Sequence, residues 1–358
     1  MADLTRALIH ALTSDATVED LQKLLEAGAD PNARDEDGKP VMFDAGGGAK
    51  LRSLIEAGGD VNTAWDLGPI HHGCIAKWAN RLVPKDMRPD PDEHFVMTLA
   101  DCTLEPDTIR LMVAKGFDPF LFDKYSDPNE LAIALGADLI PETPITPEDF
   151  NRHGTVRAGK SNPEAYLPDF WREQIRTFRS GYAAEVEILG KRDYNLPGVP
   201  IWSFERFGQS ATWLPDGRLV LIAGEHEDSY DPDFCIYADV TVLDGKGGVA
   251  HYIYPADIFP PTDFHSATLL GDHILLIGTL GYPDNRTPGE TQVLRLNLAD
   301  FSIEAVETTG DNPGWIHRHQ AELRTGQITV TGGKIEPGYR DNTEAFTLDL
   351  STMVWSRS

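Results

Sequence analysis

Three stretches in the C-terminal half of the chain repeat one another. RFGQSATWLPDGRLVLIAGE begins at Arg206, DFHSATLLGDHILLIGTLGY at Asp263 and IHRHQAELRTGQITVTGGK at Ile316. Aligning Ala211, Ala267 and Ala321 gives intervals of 56 and 54 residues. A period of that length restricts the fold to arrays in which one small unit recurs and each copy buries a face on the next. One period reads SATWL, the turn PDGR, LVLIAG, an acidic loop EHEDSYDPD, FCIYADVTVLD, the turn GKGG and VAHYIYP. These are four β-rich runs divided by turn residues, with glycine where hairpins need a positive φ. Four antiparallel strands per period describe one blade of a propeller.

The N-terminal half repeats at a different spacing. LQKLLEAGADPN holds a Gly-Ala-Asp at 28–30, LRSLIEAGGDVN a Gly-Gly-Asp at 58–60 and IRLMVAKGFDPF a Gly-Phe-Asp at 116–118. Counting back from each glycine aligns Leu21, Leu51 and Ile109, then Leu24, Leu54 and Met112, then Leu25, Ile55 and Val113. That spacing is one apolar face of a short helix. A glycine ends each helix because a residue leaving the last turn in the left-handed conformation meets no steric penalty without a Cβ. Thr17 with Asp20 forms a capping box, and LTRALIHAL supplies a preceding helix with Leu4, Ala7, Leu8, Ala11 and Leu12 on one side. Helices are also expected near 94–101 and 105–115, with DKYSDPNELAIALGAD supplying a closing one.

These residues resemble ankyrin repeats, in the pattern LLEAGADPNARDEDGKP and in LGPIHH at 67–72, which is similar to that family's Thr-Pro-Leu-His signature. DEDGKPVMFDAGG carries Pro40 but lacks the histidine, and residues 73–92 read as an insertion. The resemblance implies a stacked helical solenoid that binds proteins through its loop tips and concave face, with His71 and His72 bonded within the repeat. Trp65, Asp66, Asp35 and Asp37 would lie on those loops.

The C-terminal repeats resemble kelch repeats. QSAT and HSAT match that family's His-Ser-Ala, TGGK at 331–334 its Gly-Gly, and AFTLDLSTMVW its outer strands. Ala223-Gly224 and Gly278-Thr279 depart from the glycine pair. The combination is of a bacterial type and carries no established activity with it. The expected fold is therefore an α + β multidomain chain: an ankyrin-like helical domain at 1–140, a linker with one packing helix at 141–183, and a kelch-like propeller or partial propeller at 184–358 with three recognisable blades. A closed propeller takes about four to eight blades. Residues 184–206, a second chain forming a homodimer, or the preceding helix and repeats would have to cover the open edges.

The 358 residues exceed the usual size of one domain, and no apolar run approaches the length of a membrane span. MADLTRALIHALTSD has Asp3 and His10 where a secretory leader needs a basic start and an unbroken apolar stretch, and the three cysteines, Cys74, Cys102 and Cys235, are widely spaced. A reducing cytoplasm is the expectation. The formal charge is −26, with 13 Lys+Arg against 25 Asp+Glu in residues 1–140 and 18 against 32 in residues 141–358. Such a chain is a poor ligand for nucleic-acid phosphates and attracts basic proteins.

Candidate contact residues fall in two places. One is Trp65 with Asp66; the other joins Glu225, His226, Asp228 and Asp231 of the acidic loop to Trp315, His317, Arg318 and His319. Trp315, His317, Arg318 and His319 begin an inner strand and are expected to face the channel mouth. A histidine–carboxylate cluster can hold a metal or exchange protons. The acidic loop, however, lacks EF-hand spacing, and the sequence contains neither His-Glu-x-x-His nor Gly-x-Ser-x-Gly. The pattern therefore favours a protein-binding role with no catalytic residues, no metal and no cofactor: an acidic inhibitor or immunity protein facing a basic partner such as a toxin. An enzyme using the propeller mouth stands second, and a scaffold or substrate adaptor third.

Overall fold

The computed structural model describes residues 2–46, 48–69, 94–99, 105–117, 136–177, 179–190, 200–226 and 234–357. The chain divides into two units, Met1–Ala134 and Leu135–Ser358. His71, His72, Asp228, Asp231 and residues 123–135 of the expected closing helix DKYSDPNELAIALGAD lie outside the described residues.

In the first unit, helices α1 (Ala2–Thr13), α2 (Val18–Glu26), α3 (Gly48–Glu56) and α4 (Pro106–Ala114) are short. Thr17 caps α2: its hydroxyl accepts from the Asp20 amide at 3.2 Å while the Asp20 carboxylate accepts from the Thr17 amide. Leu8, Leu21, Leu51, Leu54, Ile55 and Met112 are buried in one core. Gly28, Gly58 and Gly116 follow their helices at φ of 95°, 96° and 88°, a conformation that costs a residue with a Cβ. Asn32 donates to the Gly58 carbonyl at 3.1 Å and Asn62 to that of Gly116 at 2.9 Å, so each post-helical loop is tied to the next helix end. Strands β1 (Ala64–Pro69) and β2 (His94–Thr98) pair antiparallel.

The second unit is mostly sheet. Its strands are β3 (Glu164–Ala165), β4 (Ser210–Trp213), β5 (Leu219–Ile222), β6 (Glu225–His226), β7 (Cys235–Ile236), β8 (Asp239–Leu243), β9 (Val249–Ile253), β10 (Ser266–Leu270), β11 (His273–Ile277), β12 (Val293–Asn297), β13 (Ile303–Ala305), β14 (Thr309–Gly310), β15 (Trp315–His317), β16 (Gln320–Arg324), β17 (Gln327–Thr331), β18 (Lys334–Glu336), β19 (Arg340–Asp341), β20 (Phe346–Asp349) and β21 (Val354–Arg357). Three larger sheets have the orders β3-β9-β8-β5-β4, β10-β11-β12-β13 and β14-β21-β20-β17-β16; β15-β18-β19 and β6-β7 are small separate sheets. Ala211, Ala267 and Ala321 are each the second residue of β4, β10 and β16.

Burial along the second strand of each large sheet explains their order. Ile274 and Leu276 of β11 pack with Val220, Ile222, Val240 and Val242 of the first sheet, whereas Leu275 and Ile277 pack with Ile328, Val330, Phe346 and Leu348 of the third. Successive residues of a strand face opposite ways, so a strand dry on both faces reads as an unbroken apolar run. LVLI in β5 and ILLI in β11 are such runs. QITVT in β17 alternates, and its outward Thr329 reaches Thr347 at 3.3 Å across a polar face. The array ends there.

The other face of the first sheet is covered by residues from 141–206. Helices α5 (Pro147–His153), α6 (Asp169–Thr177) and α7 (Gly181–Leu189) lie in this stretch. Trp171 of α6 stacks on Trp202 with centroids 4.6 Å apart, and both rings meet the edge of His251. Beside them the Arg206 guanidinium grips the Asp239 carboxylate through two bonds of 2.5 and 2.9 Å, both side chains buried. Trp202 Nε1 donates to the same carboxylate at 3.2 Å. Burial alone would push the Asp239 carboxyl up, yet the adjacent guanidinium holds it below the ordinary carboxylate value.

The expected fold class is corrected. Among the described residues there are seven α-helices of at most 12 residues, too few and too short for an ankyrin solenoid. Between α2 and α3 the chain forms only a five-residue 3₁₀ turn, Val41–Ala45, after Pro40 and before Gly46 at φ 64°. The helix expected near 94–101 is instead strand β2, and helical structure runs past the expected linker boundary at residue 183 to Leu189. The C-terminal half is a set of several small sheets of unequal make-up rather than three equivalent blades of a propeller. β3 adds an extra strand to the first sheet, β14 joins the third in parallel, and β6-β7 and β15-β18-β19 stand apart. Among the described residues no helix is long and apolar enough to cross a membrane.

Asp239→Ala should leave the Arg206 guanidinium buried without a counter-charge and cost about 3–5 kcal/mol. The exposed Asp216–Arg218 pair is the control, and Asp216→Ala should leave the midpoint of the same urea titration nearly unchanged.

Candidate functional site

Adjacent copies in the second unit are joined at the residues leading into β4, β10 and β16. Gly208, Phe264 and Arg318 occupy equivalent positions and share a left-handed conformation, at φ of 61°, 48° and 57°. For Phe264 and Arg318 this conformation is strained and must be held by surrounding structure. The Phe264 amide donates to the Gly208 carbonyl at 2.9 Å and the Arg318 amide to the Phe264 carbonyl at 2.8 Å. A parallel pair runs two residues earlier, where the amides of Gly224 and Thr279 donate to the carbonyls of Thr262 and Ile316, each at 2.9 Å. A Cβ on Gly208 would sit 2.6 Å from the Phe264 nitrogen, so only glycine lets Phe264 lie there.

Side chains repeat the join. His265 Nε2 meets Ser210 Oγ at 2.7 Å, and His319 Nε2 meets Ser266 Oγ at 2.9 Å. Burial drives the His265 imidazole down to about 3 and that of His319 to about 4. A serine beside a neutral histidine is the start of a nucleophilic pair, but catalysis also needs a group that orients the second ring nitrogen. Nδ1 of both rings has no hydrogen-bond partner among the described residues. These contacts fasten one copy to the next.

Around β15 several elements converge. Trp315 is 8% exposed, and its Nε1 donates to the Leu280 carbonyl at 2.9 Å. His317 is fully buried; its Nε2 lies 3.8 Å from Glu336 Oε1, and Arg286 Nη1 lies 3.7 Å from the same oxygen. Desolvation, with Arg318 adding to it and Glu336 opposing, lowers the His317 imidazole to about 4. Asp263 Oδ1 accepts from Thr279 Oγ1 at 3.1 Å and from the Gly281 amide at 2.7 Å. The Tyr282 hydroxyl accepts from the Ile236 amide at 2.9 Å and thereby links the 280 loop to β7; burial pushes its phenol up to about 12.

The structure therefore sorts the expected site residues. Glu225 and His226 form β6, Glu225 buried and His226 half-buried. Trp315, His317 and His319 are buried, while Arg318 is exposed with its guanidinium 3.2 Å from the Phe264 ring centroid. Trp65 lies on β1, half-buried against Phe43 with Lys39 over its ring at 5.1 Å, and the Asp66 backbone pairs with Val96. Sequence reasoning missed Arg206, Asp239, His251, Tyr282 and Glu336. The one available signal was Arg206 standing where the other copies have Thr262 and Ile316. Among the described residues the exposed aromatics of the unit are Phe207 and Tyr339, 57% and 50% exposed. Among the described residues no three His, Cys, Asp or Glu side chains are grouped so as to hold a metal ion. No protein-family model matches the chain, and no curated protein matches it.

The buried imidazoles make stability depend on pH. His251 and His317 are lowered to about 4, His319 to about 4 and His265 to about 3, from an ordinary 6.5. Below pH 6.5 the unfolded chain binds protons that the fold refuses, so stability is full above that value and falls toward pH 4. The melting temperature should decline across this window, and the double variant His265→Gln, His319→Gln should flatten the decline. An unchanged slope would place the proton uptake elsewhere.

Proposed function

We propose that the protein is a non-catalytic, cytoplasmic binding protein that captures a basic protein, as an inhibitor or immunity protein captures a toxin. The observation that carries this reading is the formal charge of −26 spread over both halves of the chain. Long-range attraction of that size accelerates encounter with a cation-rich surface. The internal chemistry supports the same reading. The serine–histidine pairs join copies of the repeat, the Arg206–Asp239 pair fixes the covering segment, and burial keeps the four imidazoles neutral. Trp315 serves packing, so among the described residues of this unit the anchors available for a partner are Phe207 and Tyr339, the latter with Lys334 over its ring at 5.0 Å.

A partner co-purified from the native cell should be basic, and surface-plasmon kinetics should give an association rate that falls steeply as salt rises, because the Debye length shrinks from about 10 Å at 0.1 M to about 3 Å at 1 M. Phe207→Ala or Tyr339→Ala should hasten dissociation with little change in association. An acidic partner, or association indifferent to salt, would remove the electrostatic reading.

A further inference from the structure

The join between copies is used twice and left open once. Each copy offers the next one a backbone amide and a backbone carbonyl. The first offers Gly224 N–H and the Gly208 carbonyl, filled by the Thr262 carbonyl and Phe264 N–H; the second offers Thr279 N–H and the Phe264 carbonyl, filled by the Ile316 carbonyl and Arg318 N–H. In the third copy the equivalent groups are Gly333 N–H and the Arg318 carbonyl. Gly333 matches Gly224 closely: φ is 80° against 95°, and a Cβ would strike the His317 carbonyl and His319 nitrogen as it would the Phe207 carbonyl and Gln209 nitrogen at Gly224. Neither Gly333 N–H nor the Arg318 carbonyl has a hydrogen-bond partner among the described residues.

The side chains carry the same vacancy. Ser210 holds His265 and Ser266 holds His319, but the third copy has Gln320, exposed and without a side-chain hydrogen bond among the described residues. The ring of Phe264 lies over Gly208, and the guanidinium of Arg318 lies on that ring. The next surface in the row is the open face of an exposed guanidinium, which attracts an aromatic ring.

We propose that Gly333 N–H, the Arg318 carbonyl, the Arg318 guanidinium and Gln320 form a docking seat for an extended segment of another protein. That segment gives a carbonyl to Gly333 and, two residues later, the N–H of an aromatic residue to Arg318. Unpaired backbone groups in a fixed spacing are a general means of capturing extended peptides. The inference rests on the binding reading above and adds where and how a partner chain is held. Continuity with the two filled joins favours a peptide over a second copy. Two chains of charge −26 repel, and the leading copy carries Gln209 where the filled joins have histidine.

The test uses the full chain labelled with ¹⁵N-glycine and, as probe, the nonapeptide PPTDFHSAT, the protein's own residues 260–268. The peptide should shift the Gly333 amide resonance. Gln320→Ser restores the hydroxyl found in the filled joins and should tighten binding about three- to ten-fold, the worth of one neutral hydrogen bond. Arg318→Ala should weaken it, and methylating the peptide nitrogen at phenylalanine should abolish it. The seat is refuted if neither the native chain nor Gln320→Ser responds at Gly333 by about 5 mM peptide, where even a millimolar complex would be mostly formed. It is refuted equally if the N-methylated peptide gives the same shift, or if sedimentation shows a second copy already covering Gly333. A basic partner captured in a salt-sensitive manner yet indifferent to Arg318→Ala would retain the charge reading and remove this seat.

Discussion

Ile274 and Leu276 leave β11 toward the first sheet, Leu275 and Ile277 toward the third, and all four are buried. A strand dry on both faces cannot exist alone, because its apolar surface needs a layer on each side before any of it is removed from water. The second sheet therefore requires both its neighbours. The first sheet has the same need, since β5 is apolar throughout, and it meets that need with Trp171, Trp202 and the segment that carries them. The third sheet is relieved of it by the threonines and glutamine that alternate along β17. Three strands at equivalent repeat positions thus differ in one respect, the number of faces they must bury, and that difference sets the order of the layers.

The covering of the first sheet is polar at its centre, which is energetically unusual. Arg206 and Asp239 are both removed from water, and two such ions recover their hydration only through close, paired hydrogen bonds. Additional bonds complete the arrangement: the guanidinium donates to the carbonyls of Ser203 and Ala223 and lies 3.4 Å from the Tyr237 ring centroid. His251, on the same face, bonds Thr241 at 2.8 Å and stays neutral. An apolar patch would cover the sheet equally well by area, but it would accept many registers. A bidentate pair accepts one, so the segment before β4 is positioned as well as buried.

Much of this was legible in the sequence, and the losses have particular causes. The aligned apolar positions Leu21, Leu51 and Ile109, and Leu54 with Met112, are core, and the glycines after them adopt positive φ. The β-rich runs of the C-terminal repeats do contain strands, although these assemble into several small sheets of unequal make-up. Family likeness misled where local chemistry overrode it: Pro40 and Gly46 leave room for only a 3₁₀ turn, and His94–Thr98 pairs as a strand. At the candidate site, WIHRH looked like a surface because bulky polar residues cluster there. In the structure the left-handed φ at Arg318 turns that side chain alone outward, while those of His317 and His319 go inward. A backbone dihedral at a non-glycine residue leaves no mark in composition. Arg206 showed only as a departure from the other copies, and its partnership with Asp239 was missed because it spans 33 residues and belongs to one copy only.

The departures from the repeat are themselves informative. A histidine–serine pair appears only between copies: Gln209 stands where a preceding serine would need a histidine, and Gln320 where a following histidine would need a serine. Each substitution falls at an end of the array. A buried imidazole without its hydroxyl would cost a desolvated polar atom, whereas Gln320 is exposed to water and Gln209 donates to the Ala223 carbonyl at 3.3 Å. The side chains thus differ between the two filled joins and the outer positions of these three copies. The backbone groups of the last copy cannot be substituted away, because every non-proline residue carries an amide and a carbonyl. Whatever the sequence does to blunt the end of the array, Gly333 N–H and the Arg318 carbonyl remain in the spacing that the two interior joins use.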